Sequence, residues 1–502
     1  MERKIILYNT RIDIHGYELG ECEELEHSLC VWNQVYFRME PRGLQYNEKE
    51  KILSVPRGID VNFLVSKLRL PVHTSQDYNE FDKIKLKLKY EPRNDIQIKS
   101  LAFLTGEGKF KYTKDYSQLS LNLDTGDGKT YCVIASICLH GLKSIIVTHT
   151  ENIKDQWHKS LIKFTNIDPR RICDLSGTKK MDDMFLENDN LYDVYLVNHG
   201  TIQSYAKKNG WENLNAFFRH IKVGIKVFDE AHLHFKSIMK VDLNTNVYKT
   251  FYLTATFERT DINEDRVFHL CFKNIAKYGY ETRGEKRKHI KYIAVKFDSK
   301  PNMEDQMSIK TKMGFNRHAY MDYQLNKGYI FEVVKYVMDT FGEVAGKCLI
   351  LSSKIESADK LKNMISEWYP DKEVGIYHSK IPKKEKEGIK DYDIISSTPQ
   401  SCGTGFDVPG LRYNIMLEPY NATITANQVC GRLREIPEQY TYHIELIDIG
   451  FPKVKDMYKK RLKVFKVKFY SVSEVVYYYK DMIICLEKSS ELLKNLNLYL
   501  KI

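Results

Sequence analysis

The sequence predicts an α/β protein made of two tandem, doubly wound parallel-sheet lobes, with a small α+β domain before them and a helical tail after them. In two separate stretches, short apolar runs alternate with helical patterns, which is typical of parallel sheets covered by helices. The length of 502 residues and the 43% of hydrophobic residues support several domains. We divide the chain into an N-terminal α+β domain at 1–92, lobe 1 at 93–278, a linker at 279–324, lobe 2 at 325–452 and a basic helical tail at 453–502.

Each lobe is predicted from apolar runs that have the length and composition of buried strands. In lobe 1 these runs are Ser144–Thr148, Val194–Asn198, Ile225–Asp229 and Phe251–Thr254. Leu119–Leu123, which alternates apolar and polar residues, is predicted as a further strand. In lobe 2 they are Cys348–Ser352, Val374–His378, Asp393–Ser396, Asn414–Glu418 and His443–Asp448. A further strand-like run, Ile290–Phe297, falls in the predicted linker.

The N-terminal domain is predicted from a mixture of short strands and helices. Lys4–Tyr8 has strand character, and Asp60 is positioned to cap a helix over Val61–Leu68. Lys83–Tyr90 alternates lysine with apolar residues, as a strand with one solvent-exposed face does. This domain could engage nucleic acid or dock a protein, and the acidic stretch Glu21–Glu26 argues against that face contacting phosphates.

Composition bounds the class of protein. The net charge of +11 fits a polyanionic partner, although many soluble proteins carry such a charge without binding nucleic acid. The ten cysteines show no C-x-x-C spacing, which indicates reduced thiols in a cytosolic compartment. The N-terminus lacks the apolar length of a signal peptide, and no apolar run predicts a transmembrane helix. We therefore expect a cytoplasmic, monomeric protein that makes no use of a membrane.

A phosphate-binding loop is predicted between a strand and a helix. The run Leu123–Thr130 (LDTGDGKT) follows the first strand of lobe 1 and precedes a helix over Tyr131–Leu139. Such a loop directs backbone N–H groups at phosphates, with Lys129 at the β- and γ-phosphates and the Thr130 hydroxyl on Mg²⁺. The first glycine of the full pattern is missing, because Leu123 stands in its place. The candidate ATP-binding residues are Thr125, Gly126, Asp127, Gly128, Lys129 and Thr130.

An acidic pair about a hundred residues later supports this interpretation. Asp229 and Glu230 open the string D-E-A-H at the end of an apolar strand. There Asp229 can hold Mg²⁺, and Glu230 can polarise the attacking water. The run Leu253–Thr256 places small hydroxyl groups at the end of the next strand. In lobe 2, Arg432 and Arg434 are candidates for an arginine finger that stabilises transition-state charge at the γ-phosphate.

In this order the motifs resemble those of superfamily 2 DEAD/DEAH-type helicases, over roughly residues 91–450. The motifs are GDGKT, DEAH, TAT, GTGFD at 403–407 and Q-x-x-G-R at 428–432. The likeness is strongest to the UvsW-type helicases of T-even bacteriophages and related viral enzymes. It implies RecA-like lobes that use ATP and Mg²⁺, and a DNA helicase or translocase that unwinds or branch-migrates forks, junctions or D-loops. It also implies a host-cell cytoplasm if the protein is viral, and contacts with replication or recombination proteins.

The resemblance also assigns roles to individual residues. Gln97 stands where the family places an adenine-reading glutamine, and Gly405 and Asp407 join the ATP site from lobe 2 with Arg432 and Arg434. In the family the second arginine usually stands three positions after the first, where this chain has Glu435. The residues that the resemblance places on the nucleic-acid backbone are Thr150, Gln156, Thr201, Ser352, Ser353 and Thr398.

Three other functions fit the same residues. An RNA helicase or a transcription-release factor would keep the motor and change the substrate. The sequence shows no residue that specifically reads a 2′-hydroxyl group, so it does not separate RNA from DNA as the substrate. A nucleic-acid-binding scaffold without ATPase activity would use the lobes for binding only. The third is the motor part of a restriction system. The run Lys453–Lys468 is either a nucleic-acid-contacting helix or a solvated face whose aromatic residues pack on lobe 2.

Overall fold

The chain folds into two units, Met1–Arg283 and Gly284–Ile502. The computed structural model describes residues 2–33, 36–75, 77–123, 126–187, 191–254, 262–279, 287–311, 314–327, 329–341, 346–386, 388–403, 408–418, 420, 429–476 and 485–486. Among these residues, no helix has the length and apolar character needed to cross a bilayer.

The N-terminal α+β domain contains a five-stranded sheet in the order β5-β6-β2-β1-β7 and a separate hairpin, β3-β4. Helix α2 begins where the sequence predicts, because the Asp60 carboxylate accepts a hydrogen bond from the backbone N–H of Asn62 at 3.0 Å. The strands are β1 Lys4–Leu7, β2 Arg11–His15, β3 Cys30–Asn33, β4 Arg38–Pro41, β5 Gln45–Asn47, β6 Ile52–Pro56 and β7 Val72–Thr74. The helices are α1 Glu23–Ser28 and α2 Val61–Leu68.

This domain shares one hydrophobic core with lobe 1. Gly58 lies so close to the lobe that a Cβ atom there would stand 2.2 Å from the carbonyl oxygen of Cys271. The Ser117 hydroxyl of lobe 1 donates to the carbonyl of Asn9 at 2.6 Å. The predicted strand Lys83–Tyr90 is wrong, because this segment makes only isolated bridges to loop and helix-end residues of lobe 1 and joins no sheet.

Lobe 1 is a seven-stranded sheet in the order β10-β11-β9-β12-β13-β8-β14, and all its pairings are parallel. The strands are β8 Gln118–Asn122, β9 Ser144–Thr148, β10 Ile172–Leu175, β11 Val194–Asn198, β12 Ile225–Phe228, β13 Lys249–Thr254 and β14 Ala276–Gly279. The helices are α3 Asp95–Thr105, α4 Lys129–His140, α5 Glu151–Phe164, α6 Thr178–Glu187, α7 His199–Asn209, α8 Trp211–His220, α9 Phe235–Asn244 and α10 Ile262–Cys271. The predicted doubly wound sheet is confirmed for this lobe.

Lobe 2 is an eight-stranded sheet in the order β19-β20-β18-β21-β22-β15-β23-β24, parallel except for its last pair. The strands are β15 Arg287–Phe297, β18 Lys347–Leu351, β19 Val374–Tyr377, β20 Ile394–Ser397, β21 Leu411–Met416, β22 Thr441–Asp448, β23 Phe469–Val476 and β24 Cys485–Leu486, with β16 Lys310–Thr311 and β17 Gly314–Phe315 as a separate hairpin. The helices are α11 Met303–Ser308, α12 Arg317–Lys327, α13 Tyr329–Phe341, α14 Ile355–Trp368, α15 Lys383–Lys386, α16 Pro399–Gly403 and α17 Pro452–Lys468.

Two elements of lobe 2 differ from the sequence prediction. Strand β15 lies between β22 and β23 in the sheet, so lobe 2 begins near residue 287 and the predicted linker is shorter. The tail begins as the expected helix, α17, and then continues as β23, which pairs with β15. Both differences arise from pairing between strands that are distant in sequence.

Candidate nucleotide and nucleic-acid site

The loop before helix α4 has a backbone that only glycine tolerates well. Gly126 and Gly128 have φ angles of 103° and 91°, in the left-handed region. A Cβ atom on Gly128 would also stand 2.2 Å from the Nε2 atom of Gln97. Both glycines lie just before α4, whose N-terminus is a favourable place for an anion. Thr125 lies outside the described residues.

Gln97 ties helix α3 to this loop. Its Oε1 atom accepts from the backbone N–H of Arg93 at 2.9 Å, and its Nε2 atom donates to the carbonyl of Asp127 at 3.3 Å. The Arg93 guanidinium donates to the carbonyl of Gly126 at 2.6 Å. The buried Gln97 therefore positions the loop, and its role as an adenine reader stays a prediction.

Lys129 is the first residue of α4, and Thr130 is the second. The Nζ atom of Lys129 donates to the carbonyl of Leu123 at 2.9 Å, so the ammonium group folds back over the loop. The Lys129 ammonium group thus lies beside the loop at the N-terminus of α4, where a phosphate cradle needs a cation.

Asp229 follows strand β12 and is fixed by two donors. Its Oδ2 atom accepts from the indole Nε1 of Trp157 at 2.8 Å, and its Oδ1 atom accepts from the backbone N–H of Glu230 at 3.0 Å. Burial and the neighbouring Glu230 raise the pKa of Asp229 to about 6, against the opposing effects of Trp157 and Lys129. Trp157 and Asp229 are 72 residues apart, and no sequence pattern indicates that their side chains are in contact.

Glu230 adopts a left-handed backbone conformation with φ of 49°, which is uncommon for a residue with a side chain. Its Oε2 atom lies 3.4 Å from Nδ1 of His232, and that same nitrogen shares a 2.9 Å hydrogen bond with the hydroxyl of Thr254. His232 therefore connects the acidic pair to the end of β13, where the sequence predicts a linking hydroxyl. Ala255 and Thr256 lie outside the described residues.

The donor set fits Mg²⁺ and ATP phosphates. A buried carboxylate whose pKa is raised by burial and by a second carboxylate gains from a cation beside it, and oxygen ligands are those that Mg²⁺ prefers. Asp229 and the Thr130 hydroxyl would hold the metal, while Lys129 and the loop N–H groups would hold the phosphates. These residues lie at the carboxyl edge of the lobe 1 sheet, where the sequence predicts a nucleotide site.

A shallow pocket of about 490 Å³ lies at the same edge of lobe 1. It opens beside the N-terminal ends of α5 and α7, where Thr150 and Asn198 are the capping residues. Two helix N-termini and several hydroxyl groups suit a phosphate backbone. The structure brings Thr150 and Thr201 together here, whereas Gln156 lies further along α5. The lining includes His149, Thr150, Thr178, Asn198, Thr201 and Ser204.

Three histidine rings join this pocket to the start of α9. The ring centroids of His149 and His234 are 4.5 Å apart, and those of His234 and His199 are 4.6 Å apart. A hydrogen bond joins Nδ1 of His149 to Nε2 of His234. Burial lowers the pKa of His149 and of His199, which keeps both rings neutral near pH 7. The sequence did not show this cluster, because its members come from three separate elements.

In lobe 2, Arg432 is buried and Arg434 is half-buried. Both follow a helical segment that ends at Cys430, and Arg432 lies in a turn while Arg434 lies in the irregular backbone after it. Burial raises the pKa of Cys402 to about 12, and the nearby Arg432 guanidinium opposes that rise. Arg432 therefore lies close to α16, which leads into the GTGFD motif. Gly405 and Asp407 lie outside the described residues.

The three residues of lobe 2 that were predicted to contact phosphates, Ser352, Ser353 and Thr398, form hydrogen bonds within the lobe. The backbone N–H of Ser353 donates to Glu418 at 2.6 Å and 2.8 Å, and the Ser352 hydroxyl donates to the same carboxylate at 3.1 Å. The Thr398 hydroxyl donates to that of Ser401 at 2.9 Å. A phosphate at Ser352 and Ser353 would compete with Glu418, so their contact with nucleic acid stays a prediction.

Glu418 should make the stability of lobe 2 depend on pH. Burial raises its pKa from 4.5 to about 7, so the folded state binds more protons than the unfolded state between these values. Its contribution is complete below pH 4.5 and is lost as the pH rises through 7. The loss is on the order of 3 kcal/mol at most, since one pKa unit corresponds to about 1.4 kcal/mol.

The measurement is the free energy of unfolding by urea between pH 5 and 8, for the native chain and for Glu418→Gln. The substitution should reduce the pH dependence of the free energy of unfolding, because the amide does not titrate. Glu435→Gln, an exposed site, is the matched control and should leave the curve unchanged. Identical pH curves for the native chain and Glu418→Gln would show that this carboxyl group is not perturbed.

One family model matches part of this chain, and several solved structures share its fold. Residues 61–259 match the family described as the res subunit of type III restriction enzymes. No curated protein sequence matches the chain. Dbp5 of S. cerevisiae, bound to RNA and ADP BeF3, aligns with a TM-score of 0.54 at 12% identity, covering 88% of this chain and 98% of its own. A fragment of a putative HsdR subunit of a type I restriction enzyme from Vibrio vulnificus aligns with a TM-score of 0.52 at 13% identity, covering 78% of this chain and 69% of its own.

The UvsW helicase of phage T4 aligns over 95% of this chain and 100% of its own at 14% identity. Its TM-score of 0.39 is too low to support an argument from the fold. The better-aligned structures share the tandem RecA-like lobes, and the restriction-enzyme model covers the stretch that carries GDGKT and DEAH. The likenesses to these solved structures show that the chain shares their fold, and the family model covers residues 61–259, less than half of the chain.

Proposed function

We propose that the chain is an ATP-driven DNA helicase or translocase that unwinds or branch-migrates DNA at forks, junctions or D-loops. The observation that carries this proposal is the carboxyl edge of lobe 1. There the phosphate loop, the pair Asp229 and Glu230, and the pocket at Thr150 and Thr201 occupy one side of a single sheet. A site for ATP and a site for a phosphate backbone on one rigid sheet is the arrangement that a nucleic-acid motor needs.

The chemistry assigned to this chain is proton transfer and charge stabilisation. Bound Mg²⁺–ATP supplies the phosphoanhydride and a cation that neutralises its developing charge. Glu230 accepts a proton from the attacking water, and its backbone is fixed by the contact between its N–H group and Asp229. Lys129 stabilises negative charge on the phosphates, and Arg432 is the candidate arginine finger of lobe 2.

The backbone-binding pocket supports a substrate read without regard to sequence. Helix N-termini and hydroxyl groups contact phosphates and carry no base information. His149 lines this pocket and reaches the DEAH side of the lobe through His234. The histidine cluster thus provides a physical connection between nucleic-acid binding and the ATPase residues.

We favour DNA over RNA as the substrate, because the family model that matches the sequence describes a restriction-enzyme subunit. RNA is the second candidate substrate, and it is favoured by the fold shared with Dbp5, which was solved bound to RNA.

The experiment is a steady-state ATPase assay of the full chain with five polymers: single-stranded DNA, duplex DNA, a fork, a four-way junction and single-stranded RNA. We expect the DNA forms to raise the rate, with the branched forms most effective. Stimulation by RNA alone would overturn the DNA assignment and support an RNA helicase. An absence of ATP hydrolysis with every polymer would support a binding scaffold.

A further inference from the structure

Helix α17 has two faces of opposite character. Its inner face is buried and carries Val454, Met457, Tyr458, Arg461 and Phe465. Its outer face is exposed and almost entirely cationic. The exposed lysines are Lys453, Lys455, Lys459, Lys460, Lys463 and Lys466, and Asp456 is the acid among them.

The inner face anchors the helix firmly to the lobe 2 sheet. The Arg461 guanidinium forms a bidentate ion pair with Glu445, with bonds of 3.0 Å and 2.9 Å, and both side chains are buried. The ring of Phe465 packs on Tyr292 with centroids 4.8 Å apart. Because these contacts fix the rotation of α17 about its axis, the lysines form a face of fixed direction on lobe 2.

Four of the lysines form a row. Lys455, Lys459, Lys463 and Lys466 follow one another at spacings of four, four and three residues, which places them along one side of an α-helix. The row spans roughly 16 Å, given a rise of about 1.5 Å per residue. In the part of the chain that the structure describes, no carboxylate forms an ion pair with Lys455, Lys459 or Lys463.

This charge arrangement is unfavourable for the helix alone. Like charges four residues apart on a helix repel one another and destabilise it. Lys453 and Lys455 also stand in the first turn, where the helix dipole disfavours cations and no acidic residue offsets them. A polyanion bound along the row would offset the repulsion between the lysines and the unfavourable interaction of Lys453 and Lys455 with the helix dipole.

We propose that this lysine face binds the phosphate backbone of the nucleic acid on which the motor acts, as an anchor outside the ATP cycle. The inference rests on the proposed function, because it takes nucleic acid as the partner. The tail aromatics Tyr458, Phe465 and Phe469 are buried, so the face offers charge without base stacking. The contact is therefore independent of sequence, strongly dependent on salt, and independent of bound nucleotide.

The test compares two triple variants of the full chain with equal loss of charge. One combines Lys455→Gln, Lys459→Gln and Lys463→Gln, and the control combines Lys83→Gln, Lys85→Gln and Lys87→Gln, which are also exposed. Duplex DNA affinity is measured across a salt series. The α17 variant should lower the slope of log affinity against log salt by about 2 to 3, since each phosphate contact contributes about 0.9 for duplex DNA.

The ATPase assay separates anchoring from catalysis. For the α17 variant, the DNA concentration for half-maximal stimulation should rise, while the basal rate and the rate at saturating DNA should stay unchanged. The control variant should keep the native salt slope. A native salt slope in the α17 variant overturns the inference. An equal decrease of the slope in the control variant also overturns it, because DNA affinity would then depend on the overall charge of the chain and not on the α17 face.

Two further outcomes identify what has failed. If the α17 variant loses binding to phosphatidylserine vesicles while DNA binding is retained, the face is a membrane contact and the inference is overturned. If the native chain neither binds DNA nor shows stimulated ATP hydrolysis, the proposed function fails first, and the inference fails with it.

Discussion

Glu230→Gln should reduce ATP turnover by about 10²–10⁴-fold, the range that a general base contributes, and leave ATP binding intact. The substitution keeps the size of the side chain and removes its ability to accept a proton from water. Asp229, Lys129 and the loop glycines stay in place, because the backbone N–H of residue 230 still donates to Asp229. The measurements are the single-turnover rate of ATP hydrolysis and the affinity for a fluorescent ATP analogue.

The matched control is Glu212→Gln, an exposed glutamate on α8 of the same lobe, which should hydrolyse ATP at the native rate. Native turnover in Glu230→Gln would show that another group acts as the base. A parallel loss of ATP binding would instead indicate a structural role for Glu230, since the left-handed backbone at this residue depends on its surroundings.

Arg461→Met should lower the free energy of unfolding of lobe 2 by about 3–5 kcal/mol, the cost of leaving a buried charge without its partner. Burial raises the pKa of Glu445, but Arg461 and His443 outweigh burial and lower that pKa to about 2. Arg461 also donates to the carbonyl of Tyr420 at 2.6 Å. Methionine fills a similar volume, so the loss reports the missing charge and hydrogen bonds.

Urea unfolding of the full chain measures this loss, with Lys455→Met on the exposed face of the same helix as the control. A surface substitution of that kind should change stability by less than about 0.5 kcal/mol. Adding Glu445→Gln to Arg461→Met should restore part of the stability, because the uncompensated charge is then absent. Equal stability of the native chain and Arg461→Met would mean that the buried pair contributes nothing net.

Much of the fold is readable in the sequence because parallel strands are buried on both faces. Ser144–Thr148 and Val194–Asn198 are continuous apolar runs, and their predicted bounds match those of β9 and β11. The positions of the GDGKT loop and the DEAH pair were also predictable, since each is a local string that follows a strand, and their chemical roles stay predictions. Their local setting, a strand end beside a helix start, matches the expectation.

The remaining features depend on contacts between distant residues. Glu418 accepts from Ser353 across 65 residues, and no local pattern shows that a carboxylate sits where phosphate contact was expected. The run Ile290–Phe297 looked like a linker strand because its neighbours, β22 and β23, follow more than a hundred residues later. The same long-range pairing turned part of a predicted helical tail into β23.

Under the proposed function, ATP hydrolysis at Glu230 drives movement on DNA. The most direct test of this claim is strand displacement from a forked DNA by the full native chain, with Glu230→Gln assayed alongside. We predict displacement by the native chain with ATP, and none with a non-hydrolysable analogue or with Glu230→Gln. Displacement that proceeds equally in Glu230→Gln, or a native chain that hydrolyses ATP on the fork without separating it, would contradict the claim.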